Sequence, residues 1–254
     1  FNSNYLFYRL TNDKIEQIEK LLQNQETKIN EDFYPIAYFY QTAFWQTMEN
    51  FKLAKALINL SKINFVLFTI LIILITLFLL KKHLPSSILS MGIASFTLMT
   101  IEILLIFLFQ AKLGYIYSKV ALLFTTILVS MGMGNFIATK VKEPKKVLIL
   151  VKLLILLYLF IFLSLIPKIE NEAVFYIFGG LIGALIGTIF PLVSKIYLQK
   201  KERIGVLYSS DLFGAFFGSL TPCFFFIPIF GIPKTLTLLI ILNLFSSLDD
   251  PGSF

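Results

Sequence analysis

Glu102, Asp211 and Lys119 place charge where chemistry could use it, inside long apolar runs. Glu102 lies within the run from Ser95 to Gln110. A carboxylate at a membrane helix centre costs roughly 2.5 to 3.5 kcal/mol on insertion scales. It persists where it faces a protein interior or a water-filled cavity and finds a partner. Asp211 begins a second run, on one helical face with Tyr208, Gly214 and Gly218. Farther along, Thr221-Pro222 and Pro228 interrupt helical hydrogen bonding, and Gly231-Ile-Pro233 ends the run. Broken helices beside a buried carboxylate occur at transporter binding sites, and breaks also occur wherever a span ends. Lys119 shares a face with Tyr115, Thr126 and Ser130, just past a tight turn at Lys112-Leu113-Gly114. Glu102 is about 12 Å from that turn and Lys119 about 7 Å, at about 1.5 Å per residue. The spacing therefore predicts a Glu102–Lys119 pair, with snorkelling of the lysine as the alternative. Lys152 and Lys195, nearer span ends, are expected to snorkel.

The residue inventory narrows the chemistry. Cys223 is the sole cysteine and His83 the sole histidine. The first excludes a disulfide framework and the second a multi-histidine metal site, and His83, in the interfacial Lys81-Lys82-His83 loop, is poorly placed for a histidine-based triad. No catalytic residue and no metal ligand set can be assigned. The 22 basic residues outnumber the 15 acidic ones, giving a net charge of +7. The lysines cluster in loops between apolar runs, where membrane topology accounts for them better than nucleic-acid binding does.

Hydrophobic residues make up 57% of the chain, charged residues 15%, and mean hydropathy is +0.82. A soluble domain of this length could not bury so much apolar surface. The expected class is all-α, a polytopic transmembrane bundle of six to seven spans in a cell (inner) membrane, with the lipid bilayer as its first partner. The predicted spans run from Ile63 to Leu80, Ile88 to Phe109, Tyr115 to Thr139, Val147 to Ile166, Ala173 to Leu198 and Val206 to Phe230. A partial seventh begins at Thr235. Residues 1–50 read as a separate polar-faced unit, opened by a capping box at Asp13 and Glu16 and closed by an aromatic segment through Trp45. Residues 51–62 form a connector, 63–246 the membrane domain and 247–254 a tail. The chain opens on Phe1 and stops just after a short apolar run, as expected of an internal or C-terminal piece of a longer protein.

Gly179, Gly183 and Gly187 follow one another at four-residue spacing, as do Gly214 and Gly218. Small residues so spaced let helix backbones approach in lipid. Packing inside one bundle is the expected use, and a homodimer seam the alternative. Met131-Gly-Met-Gly134 marks a further close approach or a kink. By span parity, the loops after the first, third and fifth spans carry most of the lysines, which assigns that side to the cytoplasm.

Three blocks together resemble the membrane-fused spermidine synthase-like proteins. The first is Asn30 to Tyr38. The second is Ser95 to Gly134, with Glu102, Phe109-Gln110, Gly114-Tyr115 and Tyr117. The third is Tyr208 to Gly218, followed by Ile227-Pro-Ile-Phe-Gly231-Ile232. The resemblance implies an upstream soluble domain of the same polypeptide, an α/β domain of the aminopropyltransferase type, with residues 1–50 as its C-terminal edge. It also implies decarboxylated S-adenosylmethionine as cofactor of that domain and a role in polyamine biosynthesis for the full-length protein. A cofactor domain on the side opposite the lysine-rich loops conflicts with the positive-inside assignment, so the sequence leaves orientation open. Two other readings stand beside it: a secondary transporter or permease for a polyamine or other small cation, and a purely structural anchor.

Overall fold

A computed structural model of the chain describes residues 11–22, 30–49 and 64–248, apart from 32, 82–85, 115–116 and 200–202, together with isolated positions at 52, 55, 58 and 59. Most of the connector expected at 51–62 lies outside the described residues, as do His83, Tyr115 and the tail beyond residue 248. Contacts divide the chain between Asn30 and Glu31. The first unit is described through one helix, α1 (Asn12–Leu22), with Asp13 in its first turn and Lys20 in its last. Both charges complement the helix dipole.

The second unit begins with a turn closed by a bridge between Glu31 and Tyr34, followed by α2 (Ile36–Glu49). Then come α3 (Phe65–Lys81), α4 (Ser86–Leu113), α5 (Tyr117–Thr139), α6 (Pro144–Leu165) and α7 (Glu172–Leu198). A short 3₁₀ turn, Ile166–Lys168, extends α6. Next are α8 (Ile204–Thr221), a π-helical segment (Pro222–Phe230) and α9 (Gly231–Leu248). No strand appears among the described residues. The unit boundary at residue 30, rather than near residue 50, has a clear cause. The backbone N–H of Ile232 donates to the Phe33 carbonyl at 2.9 Å, and α2 packs on the π segment, so residues 31–49 belong with the apolar helices.

Local signals explain the helix ends. Pro144 stands in the first turn of α6, where its missing N–H is no loss. Asn171 caps α7 by accepting from the Ala173 N–H at 2.9 Å. Gly114 closes α4 with φ 81°, a conformation that glycine takes without strain.

Five helical stretches are long and apolar enough to cross a membrane: α4, α5, α6 with its 3₁₀ turn, α7, and Ile204–Ser247. The first predicted run, Ile63 to Leu80, forms α3, a helix of 17 residues and about 26 Å at about 1.5 Å per residue. The last stretch, 44 residues long, would measure about 66 Å if straight. It cannot be straight. Ser210 donates to the Ile88 carbonyl at 2.7 Å, and Ser246 donates to the Ser90 hydroxyl at 3.4 Å. Both ends of the stretch thus meet the start of α4, and the chain doubles back at Gly231, where φ is 80°. Pro222 and Pro228, which cannot donate backbone hydrogen bonds, fall within the π segment just before this reversal.

Large apolar side chains also point away from the bundle. Phe136 is 63% exposed and Phe213 64%, and Leu150, Leu153 and Leu157 line an outer face of α6. Helices apolar on all sides are stable where lipid, not water, surrounds them.

Inside, α5 lies along α7 and α4 along α8. The glycines permit both contacts. A Cβ on Gly183 would stand 2.5 Å from the Ile127 carbonyl oxygen, and one on Gly187 would strike Met131 backbone. Gly134 meets Ala184 in the same seam. A Cβ on Gly218 would stand 2.5 Å from the Phe96 carbonyl oxygen, and Gly214 lies against Gly92. Gly179 packs on the Ile127 and Leu123 side chains. All five expected packing glycines are therefore engaged within the chain. Residue numbers rise together across both seams, so each is a parallel pair.

Candidate intramembrane cation site

Asp211 sits in the second turn of α8, where the Gly214 and Gly218 contacts draw that helix onto α4. Its carboxylate accepts a hydrogen bond from Ser95 of α4. The Ser95 hydroxyl is also 3.1 Å from the Met91 carbonyl oxygen. A neighbouring hydroxyl, Ser210, donates to the Ile88 carbonyl and fixes the rotation of α8 against α4.

These residues border a cavity of about 340 Å³ between α4, α5, α7 and α8. Its polar lining is Asp211, Ser95, Asn135 and Tyr208, and three of its apolar walls are Met91, Met99 and Met131. Asp211 is the single charged residue among those that line it. Asn135 and Tyr208 are exposed and stand at its rim. Asn135 is near the end of α5 and Asp211 near the start of α8. The cavity therefore occupies the half of the bundle next to the lysine-rich loops.

Such a site suits a small cation. The carboxylate supplies the counter-charge, the hydroxyls and amide supply donors and acceptors, and thioethers supply adaptable apolar walls. Low surrounding polarity strengthens the attraction for a cation and penalises an anion.

Glu102 lies outside this lining but close to it in register. It is 7% exposed, on the α4 stripe that also carries Ser95 and Leu98. Lys119 does not reach it. Lys119 instead forms an ion pair with Glu172, in the first turn of α7. The expected Glu102–Lys119 pair fails because α5 packs along α7 rather than α4. That packing brings together the N-terminal turns of two parallel helices.

Of the two other lysines, Lys152 differs from expectation as well. Lys152 does not snorkel: it is 6% exposed and donates to the Ser90 hydroxyl at 2.7 Å and the Ser246 carbonyl at 2.6 Å. Lys195 caps the C-terminal end of α5, donating to the carbonyls of Thr139 at 2.7 Å and Val141 at 2.9 Å. A cation there offsets the negative end of the α5 dipole. Sequence reading also missed Asn243, whose amide donates to Thr97 at 2.8 Å. Its signal was available, as a lone amide within the apolar run that begins at Thr235.

No protein-family model, no curated protein and no solved structure matches the chain.

Proposed function

We propose that the bundle is a membrane carrier, a secondary transporter or permease for a small cation, with Asp211 as the counter-charge at its binding site. One observation carries this reading: the cavity among four helices has a single lining charge, a carboxylate oriented by Ser95. A purely structural anchor has no use for a carboxylate held beside open space. Apolar walls favour a cation with a methylene body, such as a mono- or diamine.

Radiolabelled putrescine counterflow in proteoliposomes tests this. We expect exchange that saturates, is competed by other small amines and is untouched by anions. Exchange absent for putrescine, spermidine, tetraethylammonium and alkali cations alike would overturn the carrier reading.

The resemblance to membrane-fused spermidine synthase-like proteins supports a compatible second proposal, that the bundle is the membrane part of an aminopropyltransferase. In favour of it, the three resembling blocks converge: Phe33 meets Ile232, and Ser95 meets Asp211. The carrier would then handle a polyamine. Calorimetric titration of the full-length protein with decarboxylated S-adenosylmethionine decides this. Heat on mixing and turnover with putrescine are expected, and neither would be seen if the resemblance misleads.

A further inference from the structure

Building on the carrier reading, we propose that Glu102 is the proton-coupling residue: a cation entering the cavity at Asp211 expels a proton from Glu102, making the protein a cation/proton antiporter.

Ser95, which holds Asp211, and Glu102 lie on one stripe of α4. Met91, Ser95, Leu98 and Met99 line the cavity from α4, and Glu102 is the next position on that stripe. Ser95 holds Asp211, and Glu102 lies seven residues on, a rise of roughly 10 Å. Beyond Glu102, the same stripe reaches Phe109, which packs against Phe175 and Tyr176 of α7. Glu102 thus sits between the cavity and a plug of aromatic rings. It is buried and makes no hydrogen bond among the described residues.

The ionisable groups on the surrounding helices are otherwise placed. Tyr208 and Asp211 border the cavity, Tyr176 meets Phe109, and Cys223 belongs to the π segment. Lys119 and Glu172 pair with each other. Lys195 caps the C-terminal end of α5, and Lys234 stands over the Phe65 ring. Lys152 meets a different face of α4, through Ser90.

Charge then supplies the coupling. With Asp211 unoccupied, a second carboxylate set off by about 10 Å, the rise from Ser95 to Glu102, in a medium of effective dielectric about 20 is disfavoured by on the order of tenfold. Glu102 then holds its proton about tenfold more tightly than it does with a cation bound at Asp211. A cation at Asp211 removes that repulsion, and Glu102 releases the proton. Linkage is reciprocal, so a proton returning to Glu102 weakens the cation site by the same factor. Charge balances when one cation is exchanged for one proton. Cation affinity should accordingly rise about tenfold as pH increases through the Glu102 titration.

The test compares two modes of radiolabelled putrescine uptake in proteoliposomes holding the full chain. Counterflow needs binding and alternation only, whereas accumulation against an acidic lumen also needs the proton. Glu102→Gln should keep counterflow and its melting temperature while losing at least tenfold in accumulation. Glu102→Asp, which retains a carboxyl, should restore part of it. Accumulation by Glu102→Gln at the wild-type level would overturn the proposal, as would loss of its counterflow. Wild-type counterflow indifferent to the pH gradient would refute coupling alone. Wild-type vesicles silent in counterflow would remove the carrier reading and coupling together.

Discussion

Ser95 and Asp211 form a unequal pair, and substitutions should show it. Asp211→Asn leaves an amide oxygen to accept from Ser95 but removes the charge. Cation affinity should fall at least tenfold, or about 1.4 kcal/mol. Ser95→Ala keeps the charge and removes one hydrogen bond, for a loss of about 1 kcal/mol. Equilibrium binding in nanodiscs ranks the two, and wild-type affinity in Asp211→Asn would place the cation elsewhere. Lys152 provides a second asymmetry. Lys152→Met removes a buried charge together with its bonds to Ser90 and Ser246. Ser90→Ala leaves the charge buried with one acceptor fewer, which should cost about 1.5 to 3 kcal/mol and exceed the cost of Lys152→Met. Thermal unfolding in detergent gives the order; Lys152→Met as the weaker variant would contradict it.

At the scale of elements, the glycines separate contacts that look alike in sequence. A Cβ on Gly187 would strike Met131 backbone, whereas one on Gly132 would meet nothing within 4 Å. Gly187→Ala should therefore destabilise the α5–α7 seam by about 1 to 3 kcal/mol. Gly132→Ala should be neutral or stabilising by up to about 1 kcal/mol, since alanine favours helix. Equal melting temperatures for the two variants would mean that α5 and α7 do not meet as described. The Gly183 and Gly214 spacings could be read in advance because a four-residue interval is local. The partners could not, because Gly214 lies against Gly92 and Gly187 against Met131, across unrelated parts of the chain. The same limit explains the lysines. Ser90 is 62 residues from Lys152, and Glu172 is 53 from Lys119, so helix spacing alone predicted snorkelling for the first lysine and the nearer Glu102 for the second. The reversal at Gly231 was signalled by Gly231-Ile-Pro233, but the π geometry of Pro222–Phe230 was not, because prolines mark a break without fixing its form.

For the whole molecule, alternating helix directions put Lys140, Lys142, Lys145, Lys146 and Arg203, with Glu143, at one end and Lys112, Lys168, Lys234, Glu170 and Glu172 at the other. The positive-inside rule alone predicts that the lysine-rich end, with the half holding the cavity, faces the cytoplasm, whereas a cofactor domain at the other end predicts the reverse. In a Cys223→Ser background, Glu170→Cys should react with an impermeant maleimide on intact cells, and Lys142→Cys only after permeabilisation. The reverse pattern would invert the assignment. The parallel pairing of α4 with α8 also bears on how the protein is made. Ser95 precedes Asp211 by 116 residues, and Thr97 precedes Asn243 by 146. At about 5 to 20 residues per second, α4 is synthesised about 6 to 23 s before Asp211 exists. During that interval its hydroxyls are not stranded in lipid, because Thr97 donates to the Ile93 carbonyl and Thr100 to that of Phe96. Glu102 has no such recourse, so α4 should be the helix that lingers longest beside the insertion machinery, held there until its later neighbours arrive.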